Sequence, residues 1–359
     1  MAKIGILGGG LTGRLMAFLL SRQQHSVVLY EQGGRDGNQS AAFVAAAMLA
    51  PMAEAVDATP LVLSLGYQSL DLWKEIIPRL PEKVLMQFSG SLIVWHAQDG
   101  DIAHRFAQQL RRGNGGREVW QCWNADDIAA NEPQLGGRFT NGFYLPTEGQ
   151  LDNRQTLLAL ANAIEQAGVK CHWNTAVSLA DITADWLIDC RGFGAKTDWN
   201  RGQSQLRGIR GEVARVYAPE IVLNRPTRLL HPRYPLYIAP KENHIFVIGA
   251  TQIESEDPSN VSVRSGLELM SALYAVTPAF GEARILELAT NLRPTLDHHD
   301  PEIRVDINKK ILSINGLFRH GFMIAPAVCA AASRILDNVL NHQEIKKDEK
   351  TGITPVIIE

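Results

Sequence analysis

Residues 3–14 read KIGILGGGLTGR, and the fold has to be built around this segment. Residues 4–7 form a short apolar run that predicts a buried parallel strand. Gly8, Gly10 and Gly13 follow with the spacing G-x-G-x-x-G. In such a loop the first glycine permits the tight turn, the second lets backbone approach a phosphate, and the third lets the next helix pack on the strand. That helix is predicted over Leu11–Arg22, with the amides of Leu11 and Thr12 at its positive end, where an anion is favoured. A second strand over Ser26–Tyr30 ends in Glu31, 18 residues after Gly13. A carboxylate there accepts hydrogen bonds from ribose hydroxyls and repels a 2′-phosphate. Strand, loop, helix, strand and acid fall in register, so a dinucleotide other than NADP is expected, leaving NAD and FAD.

The rest of the composition narrows the class. A chain of 359 residues with 45% hydrophobic content can bury a large core and predicts two domains. The net charge of −3 comes without a basic stripe, which argues against nucleic acid and anionic membrane as partners. The mixed-sign run at 346–350 reads as a solvated tail. Cys122, Cys171, Cys190 and Cys329 form no C-x-x-C pair and are expected to be ordinary buried or partly buried thiols in a reducing compartment. His298, His299 and Asp300 are adjacent, but neighbouring side chains on extended chain point to opposite sides, so no metal is expected. The N-terminus lacks a signal-peptide n-region, and no run approaching a membrane span is evident, so a cytoplasmic protein is expected.

FAD is separated from NAD by two further stretches. Residues 40–51, SAAFVAAAMLAP, are too rich in small residues for a core strand and too apolar for a solvent loop. Small side chains let backbone approach a large planar ligand. Residues 315–328, NGLFRHGFMIAPAV, predict a strand, a loop and a helix running to about Leu340. Amides at the start of that helix suit the electron-rich edge of a reduced flavin.

These stretches carry a resemblance. Together with Ala53 and Glu54, residues 237–240 (YIAP), 247–251 (VIGAT), 292–294 (LRP) and 316–326, they resemble the D-amino-acid oxidase superfamily of flavoproteins, in particular bacterial glycine oxidases of the thiamine pathway, in the family's order along almost the whole chain. The resemblance implies an α/β fold: an FAD-binding Rossmann-like domain of the D-amino-acid oxidase type plus a mixed, strand-rich substrate domain. The chain would cross between them, with 1–78, 146–207 and 291–345 on the FAD side, 79–145 and 208–290 on the substrate side, and 346–359 as a tail.

The resemblance also implies roles. Non-covalent FAD would be held by Gly8, Gly10, Leu11, Thr12, Gly13, Glu31, Ser40, Ala41, Ala42, Ala46, Ala47, Met48, Val177, Gly192, Arg319, His320, Gly321, Phe322 and Met323. Arg293 would clamp a substrate carboxylate with its two-pronged guanidinium. Tyr237, Arg319 and Met48 would line the same site. The activity implied is hydride transfer from Cα of glycine or a small amine such as sarcosine to flavin N5, then O2 to H2O2, with glyoxylate and ammonia as products or the imine passed on for thiazole synthesis. The alternative is a flavoprotein acting on a partner protein during maturation of a cysteine tryptophylquinone cofactor. A homo-oligomer is left open. The chain departs from the family pattern at Ala47, where glycine is common, at residues 295–304, and at Phe318 to Gly321.

Overall fold

The computed structural model describes residues 1–200, 204–232 and 235–358. A seven-stranded sheet forms one half. Its spatial order is Val356–Ile358, Glu302–Asp306, Ile311–Asn315, Trp186–Asp189, Lys3–Leu7, Ser26–Tyr30 and Lys170–His172. Every neighbouring pair is parallel except Glu302–Asp306 with Ile311–Asn315. Strand Lys3–Leu7 is contacted by helix Leu11–Arg22, which packs in turn on Asn153–Gln166 and on Gly321–Leu340, and Gly321–Leu340 packs also on Pro60–Ile76. The two faces of a parallel sheet are both buried, which is why residues 4–7 are apolar without alternation.

The second half is an eight-stranded sheet in the order Arg284–Leu296, Leu206–Tyr217, Ile245–Gly249, Leu236–Pro240, Thr227–Leu230, Ser91–Trp95, Asn141–Leu145 and Gln121–Asn124. It is antiparallel apart from the pair Thr227–Leu230 with Ser91–Trp95. A small sheet of Met48–Leu49, Gly149–Leu151 and Met86–Gln87 joins the two halves. The predicted α/β, two-part architecture is present.

Several expectations are corrected in detail. The boundary at 290/291 falls inside strand Arg284–Leu296, which stays in the second sheet to its end because it pairs with Leu206–Tyr217 along its whole length. Lys346, Lys347, Glu349 and Lys350 are exposed, as expected of a solvated run, but the segment 346–359 is docked rather than a free tail. Asp348 is buried, pairs with Arg334 at 2.7 Å and accepts from Thr351 Oγ1 at 2.5 Å, and strand Val356–Ile358 extends the first sheet. In helix Asn153–Gln166, Leu157, Leu160, Ala161 and Ile164 are buried, whereas Leu158 is 43% exposed. Cys122 is exposed rather than buried, and no described cysteine is paired. The helical stretch Phe318–Leu340, which includes helix Gly321–Leu340, is, against expectation, long and apolar enough to cross a membrane. Its apolar surface is used in the core between neighbouring helices.

Candidate active site

The glycine-rich loop is built as its spacing requires. Gly8 has φ +94°, and a Cβ on it would meet the Cys190 carbonyl at 2.6 Å. A Cβ on Gly13 would lie 1.8 Å from the Gly8 carbonyl oxygen, so the helix can sit this close only with glycine there. Gly10 is different: a Cβ would meet only Ser40, at 3.6 Å, so the space in front of it is open. At the end of the second strand, the Glu31 carboxylate accepts from the Gly33 amide at 2.6 Å and the Gly9 amide at 2.5 Å. It thereby ties loop to strand and lies on the wall of the cavity described below.

Arg14 was not singled out in the sequence. It is fully buried and donates to three carbonyls: Gly9 at 2.6 Å, Leu157 at 2.5 Å and Arg35 at 2.9 Å. Burial pushes its pKa down to about 10, which leaves it a cation at neutral pH. It clasps the loop to helix Asn153–Gln166, a partner 143 residues away.

The small-residue stretch forms a short helix, Ala41–Val44, then extended chain. Asn153 Nδ2 donates to the carbonyls of Ala42 at 3.0 Å and Phe43 at 2.6 Å. Lys241 Nζ, from the second sheet, donates to the carbonyls of Ala46 at 2.8 Å and Leu151 at 2.7 Å and to Gln150 Oε1 at 2.9 Å. Burial lowers the Lys241 pKa to about 7. Ala47 sits at φ +52°, the left-handed region that favours glycine. The departure from the family's glycine therefore lies at a position whose backbone suits glycine.

A cavity of about 1410 Å³ runs between the two sheets. Of the residues expected at the site, Gly8, Gly10, Leu11, Thr12, Glu31, Ser40, Ala41, Ala42, Ala46, Ala47, Met48, Val177, Gly192, Tyr237, Arg293, Arg319, His320, Gly321, Phe322 and Met323 all line it. Gly13 lies behind the wall, under Gly8. The cavity exceeds the ~300–1,000 Å³ usual for a small-ligand site, as a dinucleotide plus substrate would need. Uncrowded glycines on the wall at positions 10, 192 and 321, a helix N-terminus at Leu11 and an acid at Glu31 suit FAD. Helix Gly321–Leu340 also begins at the wall, with its first turn fixed by Trp73 Nε1 donating to the Phe322 carbonyl at 2.7 Å.

Arg293 and Tyr237 meet at the substrate-sheet end. Arg293 Nη1 donates to the Thr251 carbonyl at 3.0 Å. Thr251 is in turn held by Glu212, whose Oε2 accepts from Thr251 Oγ1 at 3.0 Å. A Cβ on Gly211 would lie 2.3 Å from the Arg293 guanidinium carbon, so Gly211 makes the room in which the guanidinium lies flat against the sheet. Burial lowers the Arg293 pKa, and no carboxylate among the described residues pairs with it. Tyr237 faces Gly249 on one neighbouring strand and Arg228 on the other. A Cβ on Gly249 would lie 2.5 Å from the Tyr237 hydroxyl. Burial raises the Tyr237 pKa against the opposing pull of Arg293.

Arg319 is placed differently from Arg293. Its Nη2 lies 3.0 Å from both Glu54 Oε2 and Asp57 Oδ2, so it is already paired. Glu54 Oε1 accepts from Arg228 Nη2 at 2.8 Å. Burial opposes ionisation of Glu54, but Arg319, Arg228 and His320 hold it well below the usual carboxylate range. His320 Nδ1 lies 3.5 Å from Glu54 Oε2, yet burial drops its pKa to about 4, so the ring is neutral. Met48 packs between apolar residues from both halves of the molecule and also faces the cavity. The triplet at 298–300 is taken up structurally. His298 Nε2 lies 3.2 Å from Glu302 Oε2, and Asp300 accepts a short hydrogen bond from the Thr59 hydroxyl.

Known proteins share this sequence pattern and fold. The profile of the FAD dependent oxidoreductase family, DAO, matches residues 3–335. A thiamine biosynthesis oxidoreductase of Rhizobium etli, ThiO, is 38% identical over 334 residues, covering 93% of this chain and 96% of that protein. The crystal structure of glycine oxidase from Geobacillus kaustophilus superposes with a TM-score of 0.80 at 21% identity, covering 100% of both chains. Iminodiacetate oxidase from Chelativorans sp. superposes with a TM-score of 0.82 at 17% identity, covering 99% of this chain and 100% of that one. At these identities the two structures speak to the fold alone.

Proposed function

This chain belongs to the family of FAD-dependent oxidoreductases, and within it we propose a glycine oxidase, acting on glycine or a comparably small amine and serving thiamine biosynthesis. The reading is supported by the 38% identity to ThiO of Rhizobium etli. The observation that carries it is Arg293: a buried guanidinium at the cavity wall, beside Tyr237, with no carboxylate partner among the described residues. A guanidinium fork in that state is matched to a substrate carboxylate, which it binds through two parallel hydrogen bonds.

FAD, when bound, supplies a two-electron acceptor for the hydride leaving Cα and passes the pair to O2, giving H2O2. Gly8 to Thr12 and Glu31 would hold its pyrophosphate and ribose, and residues 40–48 with the start of helix Gly321–Leu340 would hold the ring. The protein's own part is orientation. Arg293 and Tyr237 fix the carboxylate, and Ala46 and Met48 give the chamber an apolar side that keeps water away. No side chain is assigned as a base. Glu54 is ionised but already engaged by two guanidinium groups, so the substrate enters with its amine neutral and its proton left to solvent. The product imine then hydrolyses to glyoxylate and ammonia, or is passed on for thiazole synthesis.

FAD is proposed to be non-covalent: Cys329, next to the ring-binding loop in sequence, is fully buried with its Sγ 3.7 Å from the Thr12 carbonyl and does not line the cavity. The protein-substrate alternative has no support among these relatives. The test is oxidation of glycine and sarcosine by the purified holoenzyme with H2O2 detection. Turnover of a free small amine is expected; inertness towards every small amine would contradict the reading.

A further inference from the structure

We propose that Glu54, acting through Arg228 and Arg319, restricts this site to amino acids bearing a single carboxylate; the inference rests on the reading of the site as a small-amine oxidase. Three guanidinium groups, Arg228, Arg293 and Arg319, converge on the chamber beside Tyr237. They face two carboxylates. Asp57 is largely in solvent, its side chain 65% exposed, and counts for little there. Glu54 is 13% exposed and bridges Arg228 at 2.8 Å to Arg319 at 3.0 Å. His320 beside it is neutral. Glu148 stands behind the wall, where it accepts from the Ala53 amide at 2.6 Å and does not reach the cavity. Arg264 and Glu268 also line the cavity and add one charge of each sign.

Glu54 therefore pairs with two of the three cations, although Arg228 Nε keeps no hydrogen-bond partner, and of the three Arg293 alone has no carboxylate partner among the described residues. A substrate with one carboxylate neutralises it. A second carboxylate would have to displace Glu54 from Arg228 or sit against it, and like charges side by side at a largely buried carboxylate repel strongly. Specificity of this kind comes from a repulsive group already in place. Replacing Glu54 by glutamine keeps its shape, removes the repulsion and frees two guanidinium groups to receive a second carboxylate.

The experiment compares kcat/KM for glycine and for iminodiacetate in the wild-type holoenzyme, Glu54→Gln and Glu54→Asp. The glutamine variant is expected to shift the ratio towards iminodiacetate by about tenfold or more, and the aspartate variant, which keeps the charge, to stay within about threefold of wild type. No shift with glutamine, or an equal shift with aspartate, overturns the proposal. A second measurement needs neither variant nor turnover. Methoxyacetate and oxydiacetate, which carry one and two carboxylates and no amine to oxidise, are titrated into oxidised wild-type holoenzyme and followed by flavin absorbance. Methoxyacetate should bind about tenfold tighter or more; equal or tighter binding of oxydiacetate overturns the proposal. Should the wild type oxidise no small amine but still prefer methoxyacetate, the oxidase reading falls while the charge selection stands.

Discussion

Arg293 lies in a slot that a single added carbon would close. Replacing it by glutamine removes the paired, charged contact with the substrate carboxylate, and kcat/KM for glycine should fall by roughly 10³-fold, seen in steady-state H2O2 assays. Gly211→Ala should act on the same group from behind. Its Cβ cannot coexist with the guanidinium at 2.3 Å, so KM for glycine should rise by about tenfold or more while the flavin spectrum is retained. A second residue, Glu148, links the site's support to pH. It accepts from the Ala53 amide and the Ser91 hydroxyl in full burial, and burial raises its pKa from 4.5 to about 7. The folded state thus binds more protons than the unfolded one between pH 4.5 and 7. Stability is fully present below 4.5 and is lost as pH rises through 7. Glu148→Gln mimics the protonated form, so wild type should match it near pH 4.5 and fall behind by roughly 3 kcal/mol above pH 7, as read from denaturant melts at both pH values.

Among the elements, those set by local chemistry were legible in the sequence. The first strand, the helix Leu11–Arg22 and the second strand follow from an apolar run and three glycines whose reasons lie within thirty residues of one another. The same local logic exposes Ala47. Its φ of +52° strains an L-residue by about 1–2 kcal/mol, partly offset by the flexibility of glycine in the unfolded chain. Ala47→Gly should therefore stabilise the folded protein by about 0.5–1 kcal/mol, measurable as a raised Tm. What could not be read were clasps between elements far apart in sequence. Arg14 reaches Leu157 across 143 residues, Arg228 reaches Glu54 across 174 and Lys241 reaches Ala46 across 195. No periodicity announces an arginine or lysine that will end up buried on distant carbonyls or a distant carboxylate. The strand Val356–Ile358 was missed because charged residues at 346–350 resemble a tail until Asp348 is seen paired with Arg334.

At the scale of the whole molecule, the two sheets divide the labour. The seven-stranded sheet and its helices present glycines and helix N-termini to one end of the cavity, and the eight-stranded sheet presents Arg293 and Tyr237 to the other. The family motifs made this division legible, but the residues that choose the substrate lie on strands whose pairing only the fold reveals. Because orientation rather than a dedicated base does the work, kcat/KM for glycine should rise about tenfold per pH unit below the pKa of the substrate amine, as the neutral fraction of the amine grows. The most direct test of the central claim is anaerobic mixing of the yellow holoenzyme with glycine in a stopped-flow instrument. The account predicts rapid loss of the oxidised-flavin absorbance in the wild type and a rate lower by orders of magnitude in Arg293→Gln. A flavin that stays oxidised with glycine and sarcosine, or one reduced equally fast in both proteins, would contradict it.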